Sequence, residues 1–222
     1  MAVNIPGYQS LVTELQENDV TLVAVSKTKP VAEILELYQR GQRDFGENYV
    51  QELIEKSNQL PGDIRWHFTG HLQTNKVKLI VSFVQLIQGV DSLKLLKEID
   101  KQSQKINKIS NCLLQIHIAQ EETKFGLNEE ELDKVMRELH MFPFVQVKGL
   151  MGMASFSEDT ELVRSEFRML RSLFDKYVQV AETPAEHSFQ VLSMGMTTDY
   201  KIAIQEGSNM VRIGSLLFGQ RN

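Results

Sequence analysis

The chain has 222 residues, with 24 Lys and Arg against 29 Asp and Glu, so its formal net charge of −5 argues against general nucleic-acid binding. Its one cysteine, Cys112, excludes an internal disulfide and suits a reducing cytoplasm, and 42% hydrophobic with 24% charged residues is the composition of an ordinary globular protein. The opening MAVNIPGYQS has neither the basic nor the apolar region of a signal peptide, and the longest apolar run, LIVSFVQLI, is half a membrane span and contains Ser82 and Gln85.

Along the chain, β-branched apolar segments alternate with segments of helical period. VTLVAVSK reads as a strand. PVAEILELYQRG reads as a helix, because Val31, Ile34, Leu35 and Tyr38 fall at i, i+3, i+4 and i+7, with Pro30 at the start and Gly41 at the stop. RDFGEN is then a short strand and YVQELIEKSNQL a helix closed by Pro61-Gly62. IRWHFTG pairs with a helix over LQTNKVKLIVSF, VQLIQGVD with SLKLLKEIDKQSQK, and NCLLQIHIA with NEEELDKVMRELHMF. VQVKGLMGMAS pairs with TELVRSEFRMLRSLFDKYV, FQVLSMGM with TDYKIAIQEG, and NMVRIGSLLFG is the last strand. Strict alternation implies parallel strands joined by right-handed crossovers. Eight strands favour a closed (β/α)8 TIM barrel over an open sheet, and no Gly-rich dinucleotide fingerprint follows the first strand. No linker or composition break divides the chain, so residues 1–222 read as a single domain.

Strand residues alternate between the barrel interior and the helix layer. In the fifth strand Leu114, Ile116 and Ile118 should meet the helices, while Gln115 and His117 point inward. In the first strand Thr21, Val23, Val25 and Lys27 share a face. If that face is the inner one, Lys27 sits at the C-terminal rim, where barrel active sites are built. A lysine becomes a nucleophile when desolvation or neighbouring cations lower its pKa; Lys29 is two residues on and Arg212 lies on the closing strand. The plainer reading is a solvated lysine at a strand end. Two further segments, SMGMTTDY and RIGSLLFG, fall after or on strands seven and eight, where barrels build phosphate sites. They place Ser193, Gly195, Gly214 and Ser215 where backbone must approach a ligand, and a helix begins near Thr197 to Asp199. Small turn residues alone are the alternative. Arg212 is the polar exception in an apolar strand and needs an acceptor, either a carboxylate or a heterocyclic nitrogen. Met151 reads mainly as barrel packing that could touch a ligand at the rim. The five histidines show no metal-ligand spacing, and no nucleophile elbow or P-loop is present.

A lysine nucleophile on strand one and a phosphate cradle at strands seven and eight together suggest pyridoxal phosphate. The segments AVSKTKP, FGENYVQE, WHFTGHLQTNK, QIHIAQEETKFG, GLMGMAS, LSMGMTTDY and GSNMVRIGSLLFG, in this order through nearly the whole chain, resemble the pyridoxal phosphate homeostasis family. That family is a single-domain relative of the alanine racemase N-terminal barrel. The resemblance implies a fold-type III barrel holding pyridoxal 5′-phosphate as an imine. It implies Lys27 as the lysine of that imine and Asn48 beside the ring. It also implies Ser193, Gly214 and Ser215 around the phosphate and Arg212 facing the pyridine nitrogen. An arginine there cannot take a proton from the ring, so carbanion chemistry is handicapped while imine formation is not.

Three functions are compatible with these residues. The first is a non-catalytic protein that carries, buffers or signals pyridoxal phosphate in the cytoplasm, with apoenzymes or a regulatory protein as partners. The second is an amino-acid racemase, which needs acid/base groups on both faces of the substrate carbon; the chain, ending at Asn222, leaves no room for a second β domain to supply one. The third is a sugar-phosphate barrel enzyme in which Lys27 acts as an aldolase lysine. The family's usual role favours the first. No long exposed apolar stripe is expected, which points to a monomer.

Overall fold

The computed structural model describes residues 3–121, 125–179 and 189–219; residues 122–124 of QIHIAQEETKFG lie outside them. The elements run α1 (Ile5–Glu17), β1 (Thr21–Val25), α2 (Val31–Gln39), β2 (Asp44–Glu47), α3 (Val50–Ser57), β3 (Arg65–Phe68), a 3₁₀ segment (Thr74–Leu79) and β4 (Leu86–Val90). They continue with α4 (Leu93–Lys105), β5 (Ser110–Ile116), α5 (Glu129–Glu138), β6 (Val145–Gly152), α6 (Thr160–Gln179), β7 (Val191–Ser193), α7 (Tyr200–Gln205), β8 (Met210–Ile213) and α8 (Ser215–Phe218). Each strand pairs in parallel with the next, and β8 pairs with β1 to close the barrel.

Local sequence accounts for most boundaries. Pro30 caps α2, and Gly41 after its end takes φ +97°, a conformation only glycine adopts without strain. Ser92 caps α4 through the Leu95 N–H. Asn128 and Glu131 form a reciprocal capping box on α5.

Three features depart from the reading of the sequence. The segment after β3 forms a 3₁₀ segment in place of the expected helix. Its three-residue repeat stacks Val77 over Ile80, and both are fully buried. The last strand stops at Ile213, because the register with β1 ends at the Ala24–Ile213 pair; beyond it Leu217 and Phe218 are buried from the short helix α8. The N-terminal helix α1 lies outside the alternating pattern. It buries Tyr8, Leu11 and Leu15, and Asn4 ties its start to α8 through the Leu216 and Leu217 carbonyls.

Two hydrophobic layers result. Ala24, Ile87, Leu114, Ile116, Ile118 and Leu150 belong to the outer layer under the helices. Val23, Leu86, Leu113, Met151 and Met210 pack inside the barrel. A register shift between Cys112 and Leu113 pairs Leu113 with Gly149, leaving Lys148 as the extra residue of a bulge. The bulge reverses alternation in β6. Val145 and Val147 face the helices before it, and Met151 faces the interior after it.

Candidate functional site

The mouth at the C-terminal ends of the strands holds a cavity of about 310 Å³. Lys27, two residues beyond β1, lines it together with Asn48 after β2, Thr69 after β3, Arg212 from β8, and Gly214 and Ser215 beyond β8. Lys29, Met153, Met196, Thr197 and Thr198 add to the polar and sulfur-bearing wall. No carboxylate is among the described lining residues, whereas two lysines and an arginine are, so the cavity suits an anion.

The chain around Lys27 is held from behind by buried charge. Lys56 Nζ, on α3, donates to the Ser26 carbonyl, to Glu47 Oε1 and to Glu52 Oε1, each at 2.7 Å. Ser26 Oγ donates to the same Glu47 oxygen at 2.6 Å. The Thr28 N–H donates to Glu52 at 2.6 Å, and Thr28 sits at φ +65°. The residues before and after Lys27 are thus both fixed to one cluster of charges. Burial pushes the Glu47 carboxyl pKa up, against the opposing Lys56 ammonium. Lys29, in contrast, donates to the Phe218 carbonyl at 2.7 Å, a structural role that ties the loop to α8.

Arg212 is 5% exposed, and burial pulls its pKa down to about 10 against the attraction of Asp199, which leaves it charged at neutral pH. Its acceptors are oxygens of neutral groups. Nη1 donates to the Ser193 carbonyl at 2.9 Å and to Ser193 Oγ at 2.7 Å, and Nη2 donates to the Gly152 carbonyl at 2.9 Å. Three of the five guanidinium hydrogens are so engaged, and Arg212 is among the residues that line the cavity. Asn48 Oδ1 accepts from the Thr69 hydroxyl at 2.8 Å. At the loop after β7, the Asp199 carboxylate accepts from the Met196 N–H at 2.5 Å and shapes the Thr197–Thr198 turn. Gly195 takes φ +96° there, where a Cβ would lie 2.6 Å from that of Ala203.

Of the residues singled out from the sequence, Lys27, Asn48, Arg212, Gly214 and Ser215 meet at the cavity. Three do not line it. Met151 is fully buried in the inner layer beneath, and Met153 takes the rim place two residues on. Ser193 is also fully buried, its hydroxyl engaged by Arg212 and Gln88. Gly195 shapes the loop from behind. Thr69 and Thr198 also line the cavity without having been singled out; each carries a hydroxyl in a segment after a strand, Thr69 directly after β3 and Thr198 in the loop after β7, which is the signal that could have found them.

The residues fit pyridoxal phosphate by their donors. An amine at the rim can condense with an aldehyde, a donor-only guanidinium can face a ring nitrogen, and hydroxyls on two loops can receive a phosphate. No cluster of described residues could hold a metal ion, and no described helix is long and apolar enough to cross a membrane.

Residues 8–222 match the family model for the alanine racemase N-terminal domain. The chain is 41% identical over 206 residues to the pyridoxal phosphate homeostasis protein of Aquifex aeolicus, covering 92% of this chain and 89% of that protein. It is 38% identical over 213 residues to the human protein of the same name, covering 90% and 76%. The structure of Synechococcus elongatus PipY with pyridoxal phosphate bound superposes with a TM-score of 0.87 at 33% identity, over 96% of this chain and 99% of that one. The alanine racemase of Clostridium difficile shares the fold alone, with a TM-score of 0.74 at 15% identity, over 99% of this chain and 57% of that one.

Proposed function

We propose, from the premise that the chain belongs to the pyridoxal phosphate homeostasis family within the alanine racemase N-terminal-domain family, that it binds pyridoxal 5′-phosphate at the barrel mouth and acts in the homeostasis of that cofactor. The observation that carries the proposal is a cavity lined by Lys27 and Arg212 and without a described carboxylate, in a fold whose relative PipY was solved with pyridoxal phosphate. When bound, pyridoxal phosphate supplies an aldehyde and an electron-withdrawing ring. Lys27 supplies the amine that condenses with the aldehyde. The cluster of Lys56, Glu47 and Glu52 holds the backbone on both sides of Lys27, which places the amine at the rim. Arg212 would face the ring nitrogen as a donor, a partner that would favour its unprotonated form. The Thr197, Thr198 and Ser215 hydroxyls would hold the phosphate, and Asn48 would stand beside the ring.

This electronic setting favours holding over turnover, because a ring paired with an arginine is a poor electron sink. A racemase is the less favoured reading. A carrier or buffer role, a monomeric state, a cytoplasmic setting, and apoenzymes or a regulatory protein as recipients belong to the same proposal. The test is covalent. The purified protein is expected to show the visible absorption of a lysine-bound pyridoxal, and borohydride is expected to leave a pyridoxyl group on Lys27 in peptide mass spectra. Lys27→Ala is expected to abolish that mark and Lys29→Ala to keep it. A mark on any other lysine in the unaltered protein would defeat the assignment.

A further inference from the structure

The barrel interior of this chain contains a polar line that the sequence pattern did not announce. Ser193 Oγ accepts from Arg212 Nη1 at 2.7 Å and donates to Gln88 Oε1 at 2.8 Å. Gln88 Nε2 lies 3.0 Å from His67 Nδ1, and His67 Nε2 lies 3.0 Å from Asp44 Oδ1. Asp44 also accepts from Arg65 Nε at 2.8 Å. Gln88 is fully buried and His67 is 2% exposed, so neither finds water as a substitute partner. The line crosses from the mouth at Arg212 to the far end at Asp44, linking β8, β7, β4, β3 and β2.

Chemistry sets its direction. A guanidinium only donates, and a serine hydroxyl has one hydrogen to give. With Arg212 donating to Ser193, that hydrogen goes to the Gln88 carbonyl oxygen. The Gln88 amide then presents its N–H to His67, whose Nδ1 must accept, so the ring hydrogen sits on Nε2 and goes to Asp44. Each link donates toward the carboxylate, from a fixed cation to a fixed anion; a reversed Gln88 would offer its oxygen to His67 Nδ1, and the ring would then need a hydrogen on both nitrogens to keep its bond to Asp44.

We propose that Gln88 and His67 are positioning residues for the pyridoxal site: the one-way line Arg212–Ser193–Gln88–His67–Asp44 holds the Arg212 guanidinium at the angle that aims its remaining hydrogens at the cofactor ring. The inference rests on the binding reading above and extends it to residues outside the cavity wall. Neither Gln88 nor His67 lines the cavity, so neither touches the ligand. The groups facing His67 are Asp44 from β2 and Gln88 from β4, with Arg65 on its own strand reaching it through Asp44.

The test has two arms. In the unaltered protein without cofactor, nitrogen NMR of the imidazole is expected to show His67 as the Nε2–H tautomer; an Nδ1–H tautomer overturns the line. In the second arm Gln88→Met, similar in volume but unable to join two partners, is compared with the unaltered protein by apo thermal unfolding, pyridoxal phosphate titration and the visible spectrum of the loaded protein. The expected result is a cooperatively folded variant whose dissociation constant rises about tenfold, the size of one misaimed charged hydrogen bond, with a displaced visible band. An unchanged constant and band in the folded variant overturn the positioning role even if the tautomer is as expected. Failure of the unaltered protein to bind pyridoxal phosphate overturns the binding reading and this role with it, while the imidazole signal still reports whether the line exists.

Discussion

Asp44 anchors one end of the interior line, and its titration is biased toward the charged form. Burial works against its carboxylate, but the hydrogen bonds from Arg65 and His67 prevail and hold its pKa down to about 2. A carboxylate depressed in the folded state adds stability that is present above its unfolded pKa and is lost as the pH falls toward the folded value. Asp44→Asn is therefore expected to remove about 2 kcal/mol of the stability lost between roughly pH 4 and pH 2, read as a shallower pH dependence of denaturant unfolding. The identity of most residues at the mouth was legible in the chain, because Lys27 and Arg212 each interrupt an apolar run. What Ser193 does was not. Its serine within a small-residue loop reads as a phosphate donor, and only the approach of β8 and β4 shows it held between Arg212 and Gln88.

At the scale of elements, the bulge in β6 decides which residues reach the interior. Continued alternation from Val147 would have turned Met151 toward the helices; the extra residue, Lys148, turns it inward. Gly149 makes the bulge possible. It takes φ +149°, and a Cβ there would lie 1.9 Å from the Val191 carbonyl oxygen of β7. Gly149→Ala is expected to destabilise the protein by more than about 2 kcal/mol, measured as a lowered denaturant midpoint. It is also expected to weaken pyridoxal phosphate binding, because β6 and β7 supply the Gly152 and Ser193 carbonyls that receive Arg212. The helix expected after β3 failed for a related reason. Periodicity sees that Val77 and Ile80 share a face but does not distinguish a 3₁₀ repeat from the first turn of an α-helix.

For the molecule as a whole, closure is the event that makes the site. Lys27 and Arg212 are 185 residues apart in sequence, and they meet because β8 pairs with β1, with Val23 opposite Arg212. A ligand that bridges these ends binds the closed barrel and not the unfolded chain. Pyridoxal phosphate at about a hundred times its dissociation constant is thus expected to stabilise the fold by about 2.7 kcal/mol and to raise the melting temperature by roughly 5–10 °C. An unchanged melting curve at that concentration would show that the ligand does not depend on the closed mouth.

The amino-acid sequence by itself determined the eightfold alternation, the parallel barrel and the rim position of Lys27, since those follow from periodicity and from the few polar residues placed in apolar strands. It also carried the family resemblance through motifs spread along nearly the whole chain. The tertiary structure alone decided which face Met151 shows and that Ser193 supports Arg212 without lining the cavity. It alone decided that Lys56, Glu47 and Glu52 brace Lys27, and that a directed line of hydrogen bonds runs to Asp44. These depend on strand register and on contacts between residues far apart in the chain, and a one-residue bulge changes register without changing the composition of the strand that carries it.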